Sequence, residues 1–334
     1  MQFGQPNRRG FITLLGSATA AWPLAARAQQ PTLPVVGFLN AASRNQSAHV
    51  VHAFHLGLNE TGYVENRNVT IEYRWADNQY ERLQALATDL VSRRVNVIAT
   101  GSNRAAMAAK ATTAAIPIVF LTAGDPVNDG LVASLNRPGG NLTGVTTLSL
   151  EIGPKRFEVL RELLPTATAM AMLINPNMRP ALVESLKSQA QALALPLGLQ
   201  MIYVLQATTD QELDNAFSTV IQRGAGGLVI TPDPFFSGQS SQLAALALRH
   251  AVPTISPYQE FVTAGGLMSY GASVTDQYRL VGVYVGRIPK GEKTVDLPVQ
   301  QVSEVELVIN LKTAKALGLS VTPALLGRAD KVIE

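Results

Sequence analysis

Short apolar runs, each closed by a small or hydrogen-bonding residue, alternate along this chain with longer stretches whose apolar positions recur at helical spacing. In the first half, VVGFLN (35–40), VTIEYRW (69–75), NVIAT (96–100), PIVFL (117–121) and LTGVT (142–146) read as strands. Helices are predicted between them over about 47–61, 80–93 and 104–114. After Leu148 the alternation resumes with AMAMLIN (169–175), LGLQMIYV (197–204), GGLVIT (226–231), VPTIS (252–256) and GGLMSY (265–270), again with helices between. Strands alternating with helices in this way argue for parallel sheets covered on both faces, and hence for two similar α/β lobes in series. The final ELVINLKTAKALGL reads as a strand, an Asn310 cap and a short helix stopped by Gly318. No repeat of 20–50 residues is evident, which argues against a solenoid.

The first residues follow a different pattern. NRRGFITLLGSATAAWPLAARAQQ has a basic start, an apolar middle and an Ala26-Arg27-Ala28 end of the small-x-small type, which predicts a signal peptide over residues 1–28. A membrane helix is the poorer reading, because a span needs about 20 apolar residues and Pro23 interrupts this shorter run. Arg8 and Arg9 ahead of Phe11 and Ile12 make the twin-arginine pattern, so delivery to the periplasm is expected, with cleavage near Ala28 and no membrane span in the mature chain.

Composition sharpens this picture. The 334 residues are 47% hydrophobic and 15% charged, enough to build a substantial core. The formal charge of +3 resides in the leader: residues 1–28 carry Arg8, Arg9 and Arg27 and no acid, which leaves 24 bases against 24 acids. A neutral mature chain has no sequence-wide attraction to phosphate backbones, so nucleic acid is not an expected partner. The absence of cysteine excludes disulfides, thiol catalysis, cysteine-ligated metals and a lipidated cysteine anchor.

Catalytic signatures are sparse. The nearest approach to a nucleophile elbow, Gly266-Leu-Met-Ser269-Tyr-Gly271, has one residue too many before the serine. The glycines of RGAGGLVI precede their strand rather than follow it, so they make a helix-to-strand loop and not a dinucleotide turn. His49, His52 and His55 lie three apart on a predicted helix; at about 100° per residue the outer two are rotated by about 240° about the axis, so they point about 120° apart and cannot share one ion. No Walker loop, EF-hand loop or paired-carboxylate motif appears, and neither a catalytic residue, a metal nor a cofactor is expected.

What remains is a set of polar strand ends: Asn40 to Ser43, Gly101 to Asn103, Thr122 to Asp125, Asn175, and Thr231 to Asp233. In parallel sheets the carboxyl ends of strands face the ligand crevice, and the following helix N-termini can hold a carboxylate. Against this, Asp125-Pro126 and Asp233-Pro234 also read as plain turns or helix starts. Among the aromatic residues, Tyr258, Tyr270, Phe235 and Phe236 are candidates for a wall, and Tyr270 is the one expected there.

Several long segments carry a family resemblance: GYVENRNVTIEYRWAD, IPIVFLTAGDPVNDGLVASLNRPGGNLTGVT, PKRFEVLRELLPTA, GGLMSYG and DLPVQQVSEVELVINLKTAKALGLSVTPALLGRADKVIE. Together they resemble the ABC-transporter substrate-binding proteins, the family that includes tryptophan and tyrosine uptake receptors. The resemblance spans nearly the whole mature chain. It implies a type I periplasmic binding protein: two Rossmann-like lobes joined by a three-strand hinge, with no chemistry on the ligand and an inner-membrane permease and ATPase as partners. The lobes would be 34–146 with 272–300, and 147–271 with 301–334. TAGDPV matches the family's cleft loop, although Ala123 stands where many relatives have glycine, and YGAS departs from the usual sequence after the hinge glycine. Pro289 replaces a usual leucine and should end the preceding helix early.

The expected ligand is an amino acid or an aromatic or organic acid. The expected ligand-binding residues are Asn40, Ser43, Ser102, Asn103, Thr122, Ala123, Asp125, Asn175, Asp233 and Tyr270, with Asp125 or Asp233 taking an amino group. Alternatives are a ligand-loaded partner of a membrane sensor and, more remotely, a periplasmic enzyme. A cytoplasmic repressor is disfavoured, since an export signal occupies the place of a DNA-binding helix pair.

Overall fold

A computed structural model of the chain describes residues 33–334; the predicted signal peptide and its twin-arginine pattern lie outside the described residues. From Val35 the chain runs through β1 (Val35–Asn40), α1 (Ala48–Glu60), β2 (Thr70–Trp75), α2 (Leu83–Ser92), β3 (Val97–Thr100), α3 (Asn103–Thr112), β4 (Ile118–Thr122) and β5 (Leu142–Thr146). It continues through α4 (Gly153–Leu163), β6 (Ala169–Ile174), α5 (Pro180–Ala194), β7 (Met201–Gln206), α6 (Asp210–Gln222), β8 (Leu228–Ile230), α7 (Pro234–Gly238), α8 (Ser240–Arg249), β9 (Thr254–Ser256), α9 (Gln259–Thr263) and β10 (Met268–Gly271). The last elements are α10 (Val274–Arg287), β11 (Gln300–Gln301), β12 (Glu306–Asn310), α11 (Leu311–Ala316), α12 (Pro323–Leu326) and β13 (Lys331–Ile333).

These strands form two sheets, in the orders β11-β5-β4-β3-β1-β2 and β13-β12-β10-β9-β8-β6-β7. Every residue of β3, β4, β5 and β6 is buried, which is why these strands read as continuous apolar runs and not as alternating ones. All pairings are parallel except β10–β12, where Tyr270 faces Leu307 in an antiparallel ladder. The architecture is thus the expected α/β pair of parallel-dominated sheets, with β12 as the departure.

Residues Pro34–Glu334 form one unit, and the chain passes between the sheets three times: after Thr146, after Gly271 and after Gln301. Following the second passage, α10 packs on α1 and on β4 and β5 of the first sheet. That helix contact depends on two glycines. A Cβ on Gly57 would lie 1.8 Å from the Arg279 carbonyl oxygen, and one on Gly282 would lie 2.2 Å from that of Phe54. The backbones therefore approach at a distance no larger side chain allows. Helix α10 stops at Arg287, and Pro289 lies in the 3-10 turn that follows, as its ring requires.

Arg156 of α4 pins two of these passages together. The residue is 1% exposed, and its guanidinium donates from Nε to the Tyr270 carbonyl at 2.8 Å, from Nη1 to the Ser149 carbonyl at 2.8 Å and from Nη2 to Ser149 Oγ at 2.6 Å. No carboxylate pairs with it among the described residues, and burial pulls its pKa down to about 10. Among those residues no helix is long and apolar enough to cross a membrane.

Candidate ligand-binding site

The carboxyl ends of both sheets border one cavity, with about 1080 Å³ of atom-free space counted out to the solvent at its mouth. From the first sheet, β1 delivers Asn40, the start of α3 delivers Ser102, Asn103 and Arg104, and the end of β4 delivers Thr122 and Ala123. The second sheet contributes Met178 and Arg179 after β6, Asp233 after β8, and Tyr258 after β9. Helix α10 adds Gln277 and Tyr278, and α1 adds His49 and Val50.

Asp233 is the electrostatic centre of the wall. Its Oδ1 accepts three hydrogen bonds: from the Tyr80 hydroxyl at 2.8 Å, from Asn175 Nδ2 at 2.9 Å and from the Phe235 backbone N–H at 2.9 Å. Its Oδ2 has no partner among the described residues. Burial raises its pKa to about 6, and the donors at Oδ1 pull the other way. Beside it the Tyr258 hydroxyl accepts from the Asp233 N–H at 2.7 Å and faces the Asp233 carbonyl at 3.0 Å. Burial, then the Asp233 charge, hold the Tyr80 and Tyr258 hydroxyls well above the ordinary tyrosine range.

Tyr80 and Asp129 each make polar contacts across the cavity. Tyr80, between β2 and α2, reaches Asp233 from the opposite sheet. Asp129, in the loop after β4, pairs with Arg179, which directly precedes α5. Asp129 Oδ2 also accepts from Asn103 Nδ2 at 2.6 Å, while Asn103 Oδ1 and Arg179 Nε are buried without a partner. The sheets are therefore held together over the cavity.

Six of the ten residues singled out from sequence line this space: Asn40, Ser102, Asn103, Thr122, Ala123 and Asp233. Several also build the wall itself. Asn40 Oδ1 accepts from the Ala42 N–H at 2.9 Å and its Nδ2 donates to the Tyr278 hydroxyl at 3.0 Å; Ser102 Oγ caps α3 through the Ala105 N–H; Thr122 Oγ1 takes the Gly124 N–H at 3.3 Å. The other four stand outside the lining. Ser43 Oγ donates to Gln46 Oε1. Asp125 Oδ1 closes its own turn on the Val127 N–H at 2.8 Å. Asn175 is buried behind Asp233. Tyr270 packs at the edge of the second core and offers its carbonyl to Arg156. Phe235 and Phe236 are core residues, 2% and 0% exposed, and the aromatic wall is made by Tyr80, Tyr258 and Tyr278 instead.

A profile of the family described as "ABC transporter substrate binding protein" matches residues 35–333. The chain belongs to that family. A tyrosine-binding protein of Clostridioides difficile strain R20291 is 27% identical to it over 265 residues, which cover 78% of this chain and 74% of the relative. Two solved structures share its fold: a conserved domain protein of Vibrio cholerae, with a TM-score of 0.80 at 24% identity, and an ABC domain in complex with L-Trp from Streptococcus pneumoniae, with 0.78 at 22%. Each aligns over 90% of this chain and all of its own. As a member of the substrate-binding family the chain is a binding protein and not an enzyme, and its two-sheet architecture is that of the type I periplasmic binding proteins.

In this substrate-binding protein, sequence reasoning missed Tyr80, Asp129, Arg179, Tyr278 and His49. Arg179 had a readable signal, since Pro180 at the first position of α5 marks the preceding residue as the mouth of a helix. Tyr278 and His49 had none, because apolar spacing inside α10 and α1 reads equally well as core. The three clustered histidines do diverge: His55 Nε2 meets the Tyr73 hydroxyl at 2.7 Å, whereas His49 Nε2 is buried at the cavity without a partner.

Proposed function

We propose that this protein is the periplasmic receptor of an ABC importer, and that its ligand is an amino acid with an aromatic side chain. The ligand sits in the cleft between lobe one (34–146 with 272–300) and lobe two (147–271 with 301–334). The three passages between the sheets are the hinge. A ligand touching both lobes binds the closed arrangement better than the open one, and that difference in affinity drives closure. The loaded receptor then docks on an inner-membrane permease and its ATPase, after export under the signal peptide ending near Ala28.

The observation that carries this reading is Asp233. A buried carboxylate with three donors on one oxygen and none on the other is an acceptor waiting for a donor, and a ligand ammonium supplies both the hydrogen bond and the countercharge. The cavity's charged lining, Arg104 and Arg179 against Asp129 and Asp233, suits a zwitterion with no net charge. Tyr258, Tyr278, Met178, Leu150 and Leu182 offer flat and flexible apolar surface for an aromatic ring. The relatives named for tyrosine and solved with L-Trp support the same class.

Isothermal titration against a panel of amino acids and aromatic acids tests the proposal. Sub-micromolar 1:1 binding of an aromatic amino acid, weakened by about tenfold or more in Asp233→Asn, is expected. Absence of binding across the panel would refute it.

A further inference from the structure

We infer that Arg179 takes the carboxylate of the ligand and so decides that the protein accepts an amino acid and rejects the corresponding amine. This rests on the amino-acid reading above, and it assigns a specificity-determining role to a residue on the rim of the same cavity.

Three observations converge on this position. Arg179 lines the cavity, and its Nε is buried without a hydrogen-bond partner. A guanidinium carries five donors in a planar fork, and a buried donor left unpaired marks a place where a partner is expected. Second, Arg179 is the N-cap residue of α5, a helix of 15 residues whose first turn has no side-chain acceptor and no acid. A cation therefore stands at the positive end of a helix dipole, where Ser, Thr, Asp or Asn would ordinarily sit. That arrangement concentrates positive potential on the cavity and favours an anion there. Third, the anion that now answers it, Asp129, comes from the opposite sheet and is shared with Asn103. Asn103 in turn leaves a buried acceptor, Oδ1, unpartnered at the same corner. Asp129 thus links two residues that each keep an unused polar atom, the donor Arg179 Nε and the acceptor Asn103 Oδ1.

A ligand carboxylate on the Arg179 fork shares that cation with Asp129, Arg104 being the second cation of the cavity lining, and its ammonium is left to Asp233. Removing the carboxylate leaves Arg179 Nε and the α5 N-terminus unanswered, which is how a polar site rejects an analogue that lacks one group. The alternative is that Arg179 only ties the lobes together through Asp129. Those two roles separate cleanly, because a bridge requires both partners equally and does not distinguish between ligands.

The test is calorimetric titration of L-tyrosine, tyramine, L-tryptophan and tryptamine into the purified wild-type protein, Arg179→Gln, Arg179→Lys and Asp129→Asn, with a thermal melt to verify folding. In the wild type each amino acid is expected to bind about 100-fold more tightly than its amine. Arg179→Gln brings that ratio to within about threefold by weakening the amino acid alone, and Arg179→Lys restores part of it. Asp129→Asn leaves the ratio in place. The assignment is overturned if folded Arg179→Gln keeps the wild-type ratio, or if Asp129→Asn and Arg179→Gln lose affinity equally for amino acid and amine. Failure of all four compounds to bind the wild type would overturn the amino-acid reading itself, and this assignment with it.

Discussion

Asp233 and Asp125 are both aspartates followed by proline after a buried strand, and their fates differ because of what stands opposite. Asp125 faces its own loop and caps it. Asp233 caps α7 as well, but Tyr80 from the other sheet and Asn175 from its own close around it and bury it. At Asp233 the cap forms and the side chain also lines the cavity; only the tertiary partner distinguishes it from Asp125, and local sequence carries no record of that partner. The burial has a measurable consequence. Unfolded, the group titrates at about 3.9; folded, it holds its proton to about pH 6. Between those values the folded state binds more protons than the unfolded one, so stability falls as pH rises through the window, by at most about 3 kcal/mol. Asp233→Asn keeps an acceptor for the Oδ1 partners and removes the charge. Urea unfolding at pH 4 and pH 7 should show the wild type losing about 2 kcal/mol relative to this variant on going to pH 7; parallel profiles would mean the carboxylate ionises freely. Arg156 lends itself to a second test. Arg156→Met strands two buried carbonyls, of Ser149 and Tyr270, and a loss of about 2–4 kcal/mol is expected in the same assay.

Helices and strands with strong local signals were legible, and those defined by long-range contact were not. The predicted strand VVGFLN is β1 itself, and Asn310 caps α11 through the Thr313 N–H as its side chain suggests. The run LGLQMIYV misleads because its first apolar residues belong to the turn that closes α5: Leu199 is buried and its N–H returns to the Ala194 carbonyl, so β7 begins only at Met201. The two-residue β11 and the C-terminal β13 exist only as partners of β5 and β12, and nothing in Gln300-Gln301 or Lys331–Ile333 announces them. The α1–α10 contact is likewise invisible until folded, yet it makes a firm prediction. Gly282→Ala forces a methyl group to within 2.2 Å of the Phe54 carbonyl oxygen. Thermal melting should reveal a destabilisation of about 2–3 kcal/mol, as overpacking of a close contact costs; an unchanged midpoint would mean that the helices slide apart freely.

At the scale of the whole molecule, three passages of the chain and the contacts across the cavity join the two sheets. Tyr80 with Asp233, and Asp129 with Arg179, join the sides of the two sheets across the cavity. The double variant Tyr80→Phe, Asp129→Asn removes one partner from each, and small-angle scattering of the ligand-free protein should record a larger radius of gyration than in the wild type. Saturating L-tyrosine should contract the variant again, since binding selects the closed state. Identical scattering in both ligand-free proteins would place the closing free energy elsewhere.

The most direct measurement is a crystal structure of the protein grown with L-tyrosine or L-tryptophan. The amino acid should lie in the cavity with its ammonium within hydrogen-bond distance of Asp233 Oδ2. Density for the ligand outside the cavity, or inside it with Asp233 Oδ2 untouched, would contradict the account.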